Sequence, residues 1–427
     1  MADDRLPEAL AAAREAVWAE PLETQHPGRP ELFESDTVWP CFERLRREDP
    51  VHFVSDSPFG PYWSITTWQA VMAVDSDHET FSSADGVILT MAAARDEVRG
   101  ALDPPMFMRM DPPRHAGQRR AVSPAFAPSA LARLAAELRT DAARVLDQLP
   151  IGEPFDWVDR VAKELTAGAL ARLFDFPFER RRSLTLWSDM ATLPPGRGGV
   201  DGWTQKRAGL GRCFEDFAEL LDHRMRAGPA DDLVSLLAAS VQAGRMDMDE
   251  ALGNVLLLIV GGNDTTRNAL SGSVLALSGQ PAAYARLAGE GGLLTTMASE
   301  TIRWQTPLAH MRRTATRDVE LCGRTILEGD TVVMWYASAN LDETVFEDPH
   351  TFRIDRPNAR SHLAFGAGVH RCLGARLAQL QLEVVWEEIL KRFAWIDIAG
   401  RPVRTHSVFV RGYETLPVVI PPAAVRR

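Results

Sequence analysis

Leu373, Leu377, Leu380 and Val384 recur at steps of four, three and four, which places them on one face of a helix. The same period runs through residues 129–149, 213–227 and 377–393, and the spacing predicts a helix over each. Ser129 stands where the first of these would take its cap. Alternating or continuous apolar runs bounded by turn residues are fewer. Residues 61–68 (PYWSITTW) predict a strand near the N-terminus, and residues 319–326 and 330–337 predict a later pair. Proline–glycine clusters at 194–199 and 228–230 predict loops between helices. The pattern is mainly α with a small β portion supplied from both ends of the chain. Strands drawn from such distant segments argue against a cut into sequential domains, so residues 1–427 read as one unit.

The same pattern limits where the chain resides. Its longest apolar run, Val255 to Val260, is far too short to span a bilayer. The first twenty residues alternate charge with alanine and lack the basic start and apolar core of a signal peptide. A composition of 45% hydrophobic and 25% charged residues is that of an ordinary globular protein. A net charge of -11 argues against a nucleic-acid binder. The cysteines, at 41, 213, 322 and 372, show neither zinc nor redox spacing, and a reducing, cytoplasmic setting is the expectation.

Three segments carry candidate chemistry. The first is FGAGVHRCLG, Phe365 to Gly374, where a cysteine lies in a glycine-rich loop just before an amphipathic segment. On the residue type alone, a buried structural cysteine is the commoner reading. At a helix start, however, backbone N–H groups favour negative charge, and a thiol there would ionise in the range of roughly 3.5–7.5. Gly366, Gly368 and Gly374 would let the backbone pass close to something flat and bulky. A thiolate so placed suits an axial ligand to haem iron. The second segment is LLLIVGGNDTTRN, in which Gly261 and Gly262 would interrupt a core helix at about 1 kcal/mol each. A helix end capped by Asn263 or Asp264 is the plainer alternative. The third is ASETIRWQTP, whose Glu300 and Arg303 share a helix face. Taken alone, they would form an exposed ion pair of little worth.

Together the three segments resemble the cytochrome P450 family. Phe365, Gly368, His370, Cys372 and Gly374 match its signature Phe-x-x-Gly-x-His-x-Cys-x-Gly, and the two other motifs follow the family's order. The resemblance runs from about residue 40 to 419. It implies the P450 fold, a triangular prism with haem b between the oxygen-site helix and the cysteine-loop helix. It implies Cys372 as the iron ligand, with Phe365 and Gly261 beside the haem. Asp264 and Thr265 would manage proton delivery, and the glycines would leave room for dioxygen. His115, Arg119, Arg313 and His370 would hold the propionates. Glu300, Arg303 and Arg356 would form a buried scaffold behind the cysteine loop. Arg371, Arg376, Arg114 and Arg120 would lie on the cysteine side and face an acidic ferredoxin, supplied by an NAD(P)H-dependent reductase. No flavin or nicotinamide fingerprint is present, so electrons would come from outside.

A narrower resemblance is carried by FDWVDRV, LFDFPFE, VGGNDTTRN, RWQTPLAHMRRTA, VVMWY and FVRGY. These are similar to the soluble bacterial alkane hydroxylases, which implies terminal hydroxylation of medium-chain alkanes or fatty acids. The implied pocket residues are Val87, Ile88, Leu89, Met91, Met106, Phe107, Trp187, Met190, Leu257, Gly261, Leu308, Ala309, Val408 and Phe409. The chain departs from that branch at Ala367, where a bulky residue is usual, at Ala375, where asparagine is usual, and through residues 86–103. Arg109 is expected to face solvent rather than a substrate carboxylate. Other apolar substrates (terpenoid, steroid or alicyclic) and a non-catalytic haem sensor or carrier are the alternatives.

Overall fold

The computed structural model describes residues 6–94, 104–192, 202–228 and 230–426. Residues 194–199, read as a loop, lie outside them. Helices dominate, and a 30-residue helix, Met248–Leu277, runs through their middle. Asp247 and Glu250 close a capping box at its start. Gly261 and Gly262 do not break this helix, contrary to the expectation from their propensity. Packing against the helices Lys163–Phe174 and Arg182–Thr192 overrides the intrinsic cost.

The predicted helices form with shifted ends. The first spans Pro128–Asp147 and starts from proline in its first turn, with no side-chain cap, so Ser129 is already helical. Residues 213–227 are the last part of a longer helix, Trp203–Ala227. The segment after the cysteine loop forms the helix Ala375–Arg392. Among the described residues, no helix is long and apolar enough to cross a membrane.

A five-stranded sheet joins distant parts of the chain in the order Val51–Val54, Tyr62–Ile65, Thr331–Met334, Met311–Ala315, Phe81–Ser82. Tyr62–Ile65 and Thr331–Met334 run parallel, with Trp63 opposite Val332. The later pair of strands is corrected. Residues 319–326 fold on themselves as a hairpin, Val319–Leu321 against Arg324–Ile326. The turn is made by Cys322 and Gly323, both left-handed at φ 49° and 76°. Thr331–Met334 pairs instead with Met311–Ala315, a strand whose adjacent arginines hide its pattern. The largest core cluster surrounds the long helix and includes Trp157, Phe174, Phe217 and Trp386.

Candidate active site

The long helix Met248–Leu277 and the Ala375–Arg392 helix bound one large cavity, and Cys372 borders it. The cysteine loop is held by its main chain. The Cys372 N–H donates to the Phe365 carbonyl at 2.8 Å. Gly366 and Gly368 adopt φ of 66° and 59°. A Cβ on Gly368 would meet the Asp75 carbonyl at 2.5 Å, and one on Gly366 would meet the Asp75 carboxylate at 3.0 Å. These two glycines thus serve the turn and the approach of residue 75, and Gly366 also borders the cavity.

Asp75 is a site residue that sequence reasoning missed. Its buried carboxylate accepts hydrogen bonds from the Ala367 N–H at 2.7 Å, Tyr336 Oη at 2.8 Å and Arg313 Nη2 at 2.8 Å. One side chain thereby ties the cysteine loop to the sheet and to a cavity-lining cation. Nothing in its local sequence, AVDSDH, signals this, because every partner is more than 200 residues away.

Cys372 lies two residues before the helix cap Gly374. The surface it exposes faces the cavity. Burial pushes its thiol up, while the Gly374 N–H and the charges of Arg119 and Arg371 pull it down. Burial prevails, so the free thiol is not acidified as its position near a helix start suggested. A metal at this sulfur would displace the proton, since the thiolate is the ligand form.

Basic side chains gather near this loop. His115 is buried, and neither of its ring nitrogens has a partner among the described residues. Its ring lies 4.2 Å from that of His370, whose Nε2 reaches Ser83 Oγ at 3.1 Å. Burial lowers both imidazoles, His370 to about 3. Arg119 and Arg313 border the same cavity. Arg119 donates to the Arg371 carbonyl at 2.6 Å, and desolvation lowers its pKa. Two imidazoles and two guanidinium groups beside a largely apolar cavity, with a thiol, fit a flat apolar group that carries carboxylates.

The adjacent glycines at 261 and 262 in the long helix do different work. A Cβ on Gly261 would meet nothing within 4 Å, so this residue opens onto the cavity. A Cβ on Gly262 would meet Leu170 Cδ2 at 2.7 Å, so this one permits helix packing. Thr265 borders the cavity and donates from Oγ1 to the Gly261 carbonyl at 2.6 Å. Asp264 is buried and does not border it. Its carboxylate pairs with Arg267 Nη2 at 2.7 Å and accepts from Thr192 Oγ1 at 2.9 Å. Arg267 in turn pairs with Asp189 at 2.8 Å. Burial raises the Asp264 pKa, Asp189 adds to the rise, and Arg267 opposes it. Arg267 was legible at i+3 from Asp264; Asp189 and Thr192, from another helix, were not.

Glu300 and Arg303 are fully buried, which overturns the surface-pair reading. Arg303 Nε and Nη2 donate to Glu300 at 2.7 and 2.8 Å. Arg356 Nε lies 3.0 and 2.9 Å from the two Glu300 oxygens. Arg303 Nη1 donates to the Asn340 carbonyl at 2.7 Å, and Asn340 Oδ1 accepts the Leu363 N–H at 2.6 Å. The network therefore reaches the start of the cysteine loop.

A family model described as Cytochrome P450 matches residues 208–410. The chain is also 33% identical over 408 residues to linalool 8-monooxygenase of Pseudomonas putida, a match covering 92% of this chain and 98% of that one. The chain belongs to the cytochrome P450 family. It is 33% identical over 394 residues to a methyl-branched lipid omega-hydroxylase of Mycobacterium bovis, covering 88% of this chain and 90% of the relative. Among solved structures, Cytochrome P450-153 from Novosphingobium aromaticivorans is similar at 43% identity and a TM-score of 0.83, over 93% of this chain and 99% of that one. The chain is thus a cytochrome P450 monooxygenase with the P450 fold, and the family implies haem b.

In this cytochrome P450 the expected pocket residues fall into three groups. Phe107, Leu257, Gly261 and Leu308 border the cavity. Leu89, Ala309 and Val408 lie behind it, buried together around Trp335. Val87 is buried as well, its carbonyl accepting the Arg312 N–H at 2.8 Å, and Phe409 packs its ring on His310. The third group lies elsewhere. Ile88 and Met91 are exposed at 36% and 49%. Met106 lines a separate cleft with Arg109 and Met110. Trp187 packs edge-on against Phe176 and Phe217, and Met190 lies against Gly209, because the inner face of their helix turns into the helical core. Arg109 is half-buried rather than solvent-facing, and desolvation lowers its pKa. Leu170, Leu173 and Leu258 border the cavity without having been expected to.

Proposed function

We propose that this cytochrome P450 hydroxylates the terminal carbon of medium-chain alkanes or fatty acids. The observation that carries the reading is the wall formed by Phe107, Leu170, Leu173, Leu257, Leu258 and Leu308, which offers a substrate hydrocarbon contacts. Gly261 leaves the long helix bare beside Thr265, so an alkyl end can approach the backbone there. The name of the Mycobacterium bovis relative, a methyl-branched lipid omega-hydroxylase, supports an alkyl chain end as the target.

Haem b, when bound, supplies the oxygen-activating chemistry. Cys372 would ligate its iron, with Phe365 beside it, and His115, Arg119, Arg313 and His370 would take its carboxylates. Thr265 borders the cavity with its hydroxyl beside Gly261, and Asp264, adjacent in sequence, retains a proton more readily than an ordinary carboxyl group. Arg267 and Asp189 hold that carboxyl in place. Thr265→Ala removes the hydroxyl from this path. NAD(P)H consumption then continues while hydroxylated product falls severalfold; product formation that still tracks NAD(P)H consumption one to one would contradict the role.

Electrons would enter on the cysteine side from a ferredoxin and its NAD(P)H-dependent reductase, in the cytoplasm. Arg120, Arg371 and Arg376 support this, since all three are exposed and none forms an ion pair among the described residues. Arg114, by contrast, is paired with Glu250. Against a whole-chain net charge of -11, such a patch is distinctive to an acidic partner. We read residues 1–427 as a single P450 unit.

Spectral titration of the haem-loaded protein with alkanes and fatty acids of graded length tests the substrate reading. A substrate-type shift with an optimum at medium chain length is expected. Response to terpenoids or steroids alone would transfer the assignment to those substrates.

A further inference from the structure

His310 stands directly behind the cavity wall. Pro307, Leu308 and Met311 border the cavity, whereas His310 between them is fully buried. Its Nδ1 lies 3.0 Å from the Val408 carbonyl, and its Nε2 lies 3.1 Å from the Leu89 N–H. A carbonyl only accepts and an amide N–H only donates. The ring is therefore neutral and protonated on Nδ1. The rings of Trp335 and Phe409 pack on it at 5.0 and 5.6 Å. Burial lowers its pKa to about 4, so the neutral form holds through the neutral range.

Three segments far apart in sequence meet at this one imidazole: residues 87–89, 307–311 and 408–410. Main-chain bonds join the same segments, Arg312 N–H to the Val87 carbonyl and Ala309 N–H to the Phe409 carbonyl, both at 2.8 Å. Among the described residues, only the His310 side chain hydrogen-bonds both the first segment and the third. Phe107, which borders the cavity, is secured similarly. Its N–H donates to Asn254 Oδ1 at 2.8 Å, and Asn254 Nδ2 donates to Gln118 Oε1 at 2.8 Å.

We propose that His310 is a positioning residue for substrate: it locks the Leu89 and Val408 segments to the back of the wall segment 307–311 and so sets the shape of the side of the cavity that receives the alkyl chain. It touches neither haem nor substrate. The choice of substrate probe rests on the alkyl reading above; the lock itself does not.

Three variants of the haem-loaded protein test this. His310→Phe keeps a ring but loses both hydrogen bonds, and His310→Ser leaves space for water to satisfy the two backbone groups without joining them. His310→Gln keeps one donor and one acceptor. In whichever of the first two folds, deuterium exchange of the peptide containing Leu89 is expected to quicken about tenfold, the loss of one buried hydrogen bond. Fatty-acid binding weakens, and its dependence on chain length flattens. The reduced carbon monoxide spectrum stays as in the parent, and the glutamine variant recovers most of the binding. Unchanged exchange at Leu89 together with an unchanged chain-length profile would overturn the proposal. If no alkyl compound shifts the spectrum of the parent protein, the alkyl reading fails, and the exchange measurement still decides the role of His310.

Discussion

Replacing Cys372 by alanine abolishes the red-shifted Soret band of the reduced carbon monoxide complex, while the chain still folds. The loop owes its shape to main-chain bonds and to the left-handed glycines at 366 and 368, none of which needs the sulfur. No other cysteine can take its place. Cys41 and Cys213 are buried, and Cys322 turns a hairpin in the β portion. Among the described residues, Cys372 is the only thiol bordering the cavity. Electron donation from thiolate to iron is what sets that band apart from an imidazole-ligated haem. Cys322→Ala serves as the control and leaves the band in place. Persistence of the red-shifted band in the Cys372 variant would remove the ligand assignment altogether.

Neutralising Glu300 destabilises the fold by about 3–5 kcal/mol, the scale for a buried charge stripped of its partner. Glu300→Gln leaves the guanidinium groups of Arg303 and Arg356 facing each other without a carboxylate, with 0% and 1% exposure. Neither side chain can turn to water without giving up its backbone acceptors at Asn340, Glu347 and Thr351. An exposed pair would cost under about 1 kcal/mol. Urea denaturation of the two proteins separates these cases. Haem retention should fall in parallel, because Asn340 carries the network to Leu363 and the cysteine loop. A midpoint within error of the parent would mean that the triad is dispensable.

The parts of the site that a sequence displays are those whose chemistry demands a particular residue type at a fixed local spacing. Cys372 and His370, Asp264 and Thr265, and Glu300 and Arg303 each lie within three residues of each other. What sequence leaves out is which way a residue faces and what meets it from afar. Gly261 and Gly262 are adjacent and chemically identical and both border the cavity, yet a side chain at 261 would meet open space and one at 262 would meet Leu170. Asp75 and His310 act through partners more than 200 residues distant, or through backbone groups, which leave no mark on local composition. The pocket was the least legible part for the same reason. Leu89, Ala309 and Val408 are apolar in sequence whether they line a cavity or stand behind it, and the structure puts them behind. In the sheet, the arginines at 312 and 313 hid a strand, while a left-handed Cys322 turned an apparent strand into a hairpin.

In the proposed function, the apolar wall around Gly261 presents an alkyl end for oxidation. The most direct test of this is the identity of the product formed by the haem-loaded protein with ferredoxin, reductase, NADH and a medium-chain alkane or fatty acid. The terminal alcohol as the main product is the predicted result; oxygen placed mainly on interior carbons, or product only from ring-containing substrates, would contradict it.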